Sequence, residues 1–142
     1  MMKLLVAVDG SEPSRHAIDA TARLAREMGG VEVLLLNVRE GPVYYGELPA
    51  FDAESVERAM AAAQHELLAA ALAQAHEAGL QQVSTVAAEG LAAQQIAQVA
   101  AEKKADQIVM GTHGRNPLGG LLLGSVAQRV VHLAAVPVLL VK

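Results

Sequence analysis

Four small residues in the last third of the chain have a spacing that suits anion binding. Gly111 and Gly114 follow the apolar run 107–110, and Gly124 and Ser125 stand after nine intervening residues, just before an apolar-periodic stretch. This order predicts a strand, a glycine-rich loop and a helix, so backbone N–H groups and a helix N-terminus converge on one place. The anion that such a loop fits best is the phosphate chain of a nucleotide.

Two familiar phosphate-binding motifs are excluded by inspection. Residues 119–125 have the glycine frame of a P-loop, but Ser125 stands where that motif requires lysine. The dinucleotide fingerprint follows the first strand, and here Asp9, Gly10 and Ser11 occupy that place. The pattern that fits is G-x2-G-x9-G-S, and we refer to Gly111, Gly114, Gly124 and Ser125 as the glycine signature.

Apolar runs and helical periodicities alternate along the whole chain. The predicted strands are residues 4–8, 31–38, 82–87, 106–110 and 136–141, and helices fill the intervals between them. Strict alternation predicts a single doubly wound α/β domain over residues 1–142, Rossmann-like, with an open five-stranded parallel sheet of order 3-2-1-4-5 and helices on both faces. In the long helix 54–78 we expect a buried stripe of Val56, Met60, Ala63, Leu67 and Ala71.

The predicted strand order implies where a ligand lies. Open α/β sheets bind ligands beyond the carboxyl ends of their strands, at the point where the strand order reverses. Asp9 leaves strand 1 there, Met110 and Gly111 leave strand 4, and Asn37 and Val38 flank them on strand 2. The Asp9 carboxylate would accept hydrogen bonds from ribose hydroxyls or help to hold Mg²⁺ with the phosphates. The alternative is a turn or cap residue for the first helix.

At this point the chain resembles the universal stress protein family. The resemblance covers the full length and rests on the glycine signature, with support from residues 8–11, 37–38, 89–90, 106–115 and 136–138. It implies a member of the ATP-binding subgroup, since in the family this signature separates members that bind ATP from those that do not. It also implies homodimers formed through the last strand, 136–141, whose apolar edge is open to pairing.

The resemblance assigns roles position by position. Ala7 and Asp9 would contact the adenosine, and the Val38 backbone would meet the adenine edge. Met110 and Gly111 would line the base and the ribose. The phosphate-binding residues would be Gly114, Gly124, Ser125 and Val126. One departure is visible, because some ATP-binding members have proline where this chain has Ala7.

Several of these residues have simpler structural interpretations. The glycines would serve as turn residues, and Ser125 would be the N-cap of the last helix. Arg115 either neutralises phosphate charge or is an exposed loop arginine, and His113 is expected to be an exposed loop side chain. The aromatic residues of the loop after strand 2 either cover the adenine side of the crevice or pack locally: Tyr44, Tyr45 and Phe51.

Composition limits the remaining possibilities. The net charge of −4 argues against non-specific nucleic-acid binding, and 2% aromatic residues offer few stacking platforms. There is no cysteine, and no histidine pair has metal-ligand spacing, so we expect no direct protein metal site. The apolar run 4–8 is too short for a signal peptide or a membrane span. We therefore expect a cytoplasmic protein without a membrane or nucleic-acid partner.

Three functions fit these features. The first is an ATP-binding regulatory or stress-response module with little or no turnover. The second is a slow ATPase or phosphotransferase at the same site, for which Asp9 and His113 are the only nearby base candidates and a loop lysine is missing. The third is a structural dimer module without nucleotide.

Overall fold

The computed structural model describes residues 1–41, 53–114 and 123–142, along which strands and helices alternate. The strands are β1 (Lys3–Ala7), β2 (Glu32–Arg39), β3 (Gln82–Glu89), β4 (Gln107–Gly111) and β5 (Val138–Val141). The helices are α1 (Glu12–Met28), α2 (Ala53–Glu77), α3 (Ala92–Glu102) and α4 (Ser125–Leu133).

The five strands form one parallel sheet in the order β3-β2-β1-β4-β5, which confirms the predicted fold. β1 is central, and its Leu5 pairs with Leu34 of β2 on one side and with Ile108 of β4 on the other. The chain builds outward from β1 to β3, then crosses to β4 and continues to β5. The strand order therefore reverses beside β1, where the carboxyl ends of β1 and β4 part.

Helices cover both faces of the sheet because alternate side chains of each buried strand point to opposite faces. One core, beneath α1 and α2, includes Leu4, Val6, Ile18, Leu35 and Leu68. The other core, beneath α3 and α4, includes Leu5, Leu36, Ile96, Ile108 and Val130. The predicted helices on both faces are thus present, and each face has its own apolar layer.

Local signals fix the position of α1. The N-cap residue Ser11 accepts a hydrogen bond from the Ser14 N–H at 3.3 Å, and Pro13 lies in the first turn, where its missing N–H costs nothing. The helix ends at Gly29, which has φ of 76° in the left-handed region that favours glycine. These two ends set the path from β1 into α1 and therefore the position of the Asp9 turn.

The predicted buried stripe of α2 is confirmed only in part, because Ala71 is in the core and Leu67 packs against it, while the centre of the buried face lies elsewhere. Ala63 is exposed, Val56, Met60 and Leu67 are half-buried, and only Ala71 of the predicted set is buried. The buried residues of this helix are Gln64, Leu68, Ala71 and Ala75. The helix is so rich in alanine that apolar residues occur all round it, and hydrophobic periodicity therefore did not identify the packed face. A buried glutamine marks that face instead.

The predicted N-cap role of Ser125 is also wrong, by one position. Gly124 is the N-cap of α4, with φ of −61° and ψ of 157°, and Ser125 is the first helical residue. The Gly124 N–H donates to the Thr112 carbonyl at 2.8 Å, which fixes the helix start against the end of β4. Ser125 is exposed and its hydroxyl does not serve as the N-cap group.

Candidate functional site

A crevice of ≈ 580 Å³ opens at the carboxyl edge of the sheet, between the ends of β1, β2 and β4 and the first residues of α3 and α4. Its volume falls in the range typical of small-molecule sites. Nine of the ten predicted site residues line it: Ala7, Asp9, Val38, Met110, Gly111, Gly114, Gly124, Ser125 and Val126. The tenth, Arg115, lies outside the described residues, as do Tyr44, Tyr45 and Phe51.

The inner wall of the crevice is apolar. Ala7, Val38 and Met110 belong to the layer between the sheet and helices α3 and α4. Ala92 and Ile96 of α3 complete this wall. A wall of this kind suits a flat ring such as a nucleobase, because burying the apolar faces of the ring is favourable.

Asp9 lines the crevice and also organises its own turn. Its Oδ1 accepts hydrogen bonds from the Ser11 N–H at 2.9 Å and from the Ser11 hydroxyl, and its N–H donates to Ser14 Oγ at 3.1 Å. The predicted turn role is therefore present, and it holds the carboxylate at the edge of the crevice. A Cβ at position 114 would lie 2.9 Å from Asp9 Oδ2, so Asp9 and Gly114 are close neighbours.

The glycines at 111 and 124 are needed for close approach of backbone segments. A Cβ at Gly111 would lie 2.7 Å from Pro13 Cβ and 3.0 Å from the Pro13 carbonyl carbon. A Cβ at Gly124 would lie 3.3 Å from the Thr112 carbonyl oxygen. Glycine at these positions lets the end of β4 pack against α1 and the start of α4. Gly114, in contrast, is exposed at the crevice.

Two helix N-termini meet the crevice. Ala92 and Ser125, the first residues of α3 and α4, both line it. The described N-cap residues Leu91 and Gly124 provide no side-chain hydrogen bond to their helices. The first N–H groups of each helix carry the positive end of the helix dipole, so this edge of the crevice favours negative charge.

Acidic side chains lie at the ends of the first two strands. Asp9 follows β1 and Glu40 follows β2, and both line the crevice. His113 also lines it, with its Nδ1 2.9 Å from Thr112 Oγ1. The crevice thus combines two carboxylates with helix N-termini and glycines, and the Asp9 carboxylate lies beside Gly114. Within residues 1–41, 53–114 and 123–142, no cluster of three His, Asp or Glu side chains has the geometry of a metal site.

A family model decides the classification. The model of the universal stress protein family matches residues 1–142. The chain belongs to the universal stress protein family. Among curated relatives, the universal stress protein MJ0531 of Methanocaldococcus jannaschii is 37% identical over 141 residues, covering 99% of this chain and 81% of that protein. A universal stress protein of Thermus aquaticus is 37% identical over 140 residues, covering 98% and 97%.

Solved universal stress proteins share the fold. One from Archaeoglobus fulgidus has a TM-score of 0.73 and 27% identity, covering 100% of this chain and 99% of that chain. A universal stress protein from the same organism, in complex with dAMP, has a TM-score of 0.68 and 24% identity, covering 100% of this chain and 98% of that chain. This universal stress protein therefore has the sheet order and helix layers of its family.

A cluster of ion pairs near the crevice connects α2 to the sheet. Arg39 at the end of β2 pairs with Glu57 of α2 and, at 3.4 Å, with Glu89 at the end of β3. The hydrogen bond from Arg39 lowers the pKa of Glu57, and the same bond raises the pKa of Arg39. Within the part of the chain that the structure describes, the helix contributes no residue to the crevice wall.

Analysis of the sequence missed several crevice residues. Ala92 and Ile96 were assigned to a helix, but nothing in their spacing shows that the helix leans over the strand ends. Glu40 could have been predicted from the sequence. Like Asp9, it is an acidic residue just after a strand that ends at the point where the strand order reverses. Ser14, in the first turn of α1, also lines the crevice, and its sequence context indicates only a turn and a helix start.

In the described residues, no helix is both long enough and apolar enough to span a membrane.

Proposed function

We propose that this chain binds an adenine nucleotide in the crevice, with ATP as the preferred ligand, and acts as a regulatory or stress-response module with little or no turnover. The observation that carries the proposal is the convergence of Asp9, Val38 and the whole glycine signature on one crevice. The family to which the chain belongs supports it, as does the fold relative from Archaeoglobus fulgidus that holds dAMP.

The N-terminus of α4 and the glycines beside it support one orientation of the nucleotide. Phosphates would lie by Gly114, Gly124, Ser125 and Val126, beside the N-terminus of α4. The Asp9 and Glu40 carboxylates would accept hydrogen bonds from ribose hydroxyls or amino groups, and Asp9, which lies beside Gly114, would help to hold Mg²⁺ with the phosphates. The base would lie against Val38, with Ala7, Met110 and Gly111 beneath the base and ribose, and Arg115 is proposed to neutralise phosphate charge.

The proposal favours binding over turnover. Efficient phosphoryl transfer needs a positioned base and strong charge stabilisation. Asp9 Oδ1 is committed to Ser11, and His113 is in contact with Thr112, so each candidate base already has a structural partner. Magnesium would enter with ATP, held mainly by phosphate oxygens. Slow hydrolysis or phosphotransfer at the same site is the second candidate, because His113 and Asp9 both line the crevice.

A homodimer through residues 136–141 is part of the proposal. β5 is the last strand in the sheet order, and its four residues are half-buried apolar side chains. An apolar edge strand of this kind is suited to pairing with a second copy. A cytoplasmic location without membrane or nucleic-acid partners also belongs to the proposal, supported by the net charge of −4.

Identification of the copurifying ligand tests the proposed function. The protein is purified without added nucleotide and denatured, and the released small molecules are identified. Release of ATP supports binding without turnover. Release of ADP alone, together with multiple turnovers of added ATP and Mg²⁺, favours the slow enzyme. No released nucleotide and no thermal shift with ATP and Mg²⁺ would leave the structural dimer module as the explanation.

A further inference from the structure

Two buried amide side chains lie between the sheet and α2, and one of them, Asn37, also lines the crevice. Asn37 of β2 is 8% exposed and Gln64 of α2 is 7% exposed. Gln64 Nε2 donates to the Asn37 carbonyl at 2.9 Å and to Asn37 Oδ1 at 3.1 Å, and it lies 2.9 Å from the Ala88 carbonyl. One amide group of α2 thus holds the ends of β2 and β3 together.

Asn37 connects this contact to β1. Its Nδ2 donates to the Val8 carbonyl at 2.7 Å. Because Asn37 Oδ1 accepts from Gln64, the amide has one orientation in which both bonds are made. The Val8 N–H donates to the Leu36 carbonyl at 2.8 Å. The peptide groups on both sides of Val8 are therefore fixed to β2.

The position of this network matters because Asp9 follows Val8 directly. Two residues that follow Asp9 in the chain hold it: Ser14 Oγ accepts from the Asp9 N–H, and the Ser11 N–H donates to the Asp9 carboxylate. On its N-terminal side, the Val8 carbonyl is held by Asn37. A carboxylate fixed from both sides keeps one place at the crevice edge, next to Gly114.

Gln64 is the polar residue on the buried face of α2. The other buried α2 residues are apolar, namely Leu68, Ala71 and Ala75. Burying an amide in such a layer costs free energy unless its hydrogen bonds are made, and a satisfied network imposes one specific geometry. Gln64 and Asn37 make bonds that end at the residue before Asp9, so the geometry they impose is that of the crevice edge.

We propose that Gln64 and Asn37 are positioning residues that act through the Val8 carbonyl to hold Asp9 in place, and thereby set the affinity for the nucleoside part of the ligand. This inference rests on the proposed function. It also connects α2 to the crevice, although the described part of that helix does not line the crevice.

Substitution Gln64→Met tests the proposal, because it keeps the length and removes the donor. The matched control is Leu68→Ala, one turn further along the same buried face, which removes packing without touching Asn37. We expect Gln64→Met to weaken ATP binding about tenfold, and Leu68→Ala to change it less than about twofold, as is usual for sites that do not share partners.

A double-mutant cycle with Asp9→Ala distinguishes an effect of Gln64 on the position of Asp9 from a general loss of order around the crevice. If Gln64 acts through Asp9, Gln64→Met has little further effect on ATP affinity in the Asp9→Ala background. Equal effects in both backgrounds would overturn the proposal. Gln64→Leu, which also removes the donor and also lies outside the crevice lining, is the second variant, with the same expected pattern, should Gln64→Met fail to fold.

Hydrogen exchange of the nucleotide-free protein provides a readout that does not depend on binding. We expect Gln64→Met to speed exchange at the Asp9 and Ser11 amides selectively, whereas Leu68→Ala does not. If wild-type protein binds no adenine nucleotide, the proposed function fails, and exchange at these amides still decides whether the network positions Asp9. Unchanged exchange in Gln64→Met contradicts the positioning role.

Discussion

Gly111 and Gly114 stand three positions apart and have different neighbours. Gly111 faces Pro13 of α1, where an added Cβ would meet the Pro13 backbone at 3.0 Å. Gly114 faces the Asp9 carboxylate and the open crevice. The spacing of the signature therefore combines one glycine required for packing with one that keeps the crevice edge clear.

This difference predicts opposite effects of substitution. Gly111→Ala should lower the free energy of unfolding by about 1–3 kcal/mol, because a backbone neighbour must move. Gly114→Val should lower it less, by about 1 kcal/mol, because the position is exposed and its close neighbour is the end of a side chain, but it should weaken ATP binding roughly tenfold or more by blocking backbone approach and displacing the Asp9 carboxylate, which would lie 2.9 Å from the new Cβ. Denaturant unfolding and calorimetric titration measure both quantities, and the reverse pattern would contradict these assignments.

The sequence predicted crevice residues correctly where they lie at the ends of strands, because the strand order fixes where those ends meet. Asp9, Val38 and Met110 follow or end parallel strands, and the order of the strands brings their ends together. Gln64 was not predicted, because a single glutamine in an alanine-rich helix has no signal of burial. Its role depends on acceptors from β2 and β3 that only the folded chain brings within reach.

The element with the least predictable placement is α2. Its buried face differs from the predicted stripe, whereas the strands and the other helices agree with their apolar patterns to within a few residues. Alanine contributes little to periodicity, since an exposed alanine costs almost nothing. Polar contacts then orient the helix: Gln64 on the buried face and Glu57 near its start.

The Arg39–Glu57 pair gives α2 a testable pH dependence. The pKa of Glu57 is lowered from 4.5 in the folded protein by the hydrogen bond from Arg39. The stabilisation is therefore complete above pH 4.5 and is lost as the pH falls through the lowered pKa, because the unfolded chain then binds the proton more readily.

We expect Arg39→Gln to return the Glu57 midpoint, followed by carboxyl NMR shifts, to about its ordinary value. The variant should also lose less stability than wild type on acidification below that value. Arg58→Gln, which removes a neighbouring exposed charge of α2, should leave the midpoint low. A Glu57 midpoint that stays low in Arg39→Gln would show that a group other than Arg39 lowers the pKa of this carboxylate.

At the scale of the whole molecule, the two edge strands of the sheet, β3 and β5, differ in composition. β3 is flanked by β2 alone and has several exposed small or polar residues, whereas β5 is short and uniformly apolar. An exposed apolar edge is a liability unless it is covered. The proposed dimer would cover it by pairing the strands at 136–141 of two copies.

Light scattering during size-exclusion chromatography tests the dimer. We expect a particle of two chains, each of 14.8 kDa, at micromolar concentration. A single-chain mass at that concentration would reject the proposed assembly, and the comparison with and without ATP shows whether the ligand changes it.

Calorimetric titration of nucleotide-free protein with ATP and Mg²⁺ decides whether the crevice is a nucleotide site, with Gly114→Val as the control. We expect saturable binding of one ATP per chain to wild-type protein and strongly weakened binding to the control. Heats no larger than those of dilution for correctly folded wild-type protein, or equal binding by the control, would contradict the assignment of the crevice as a nucleotide site.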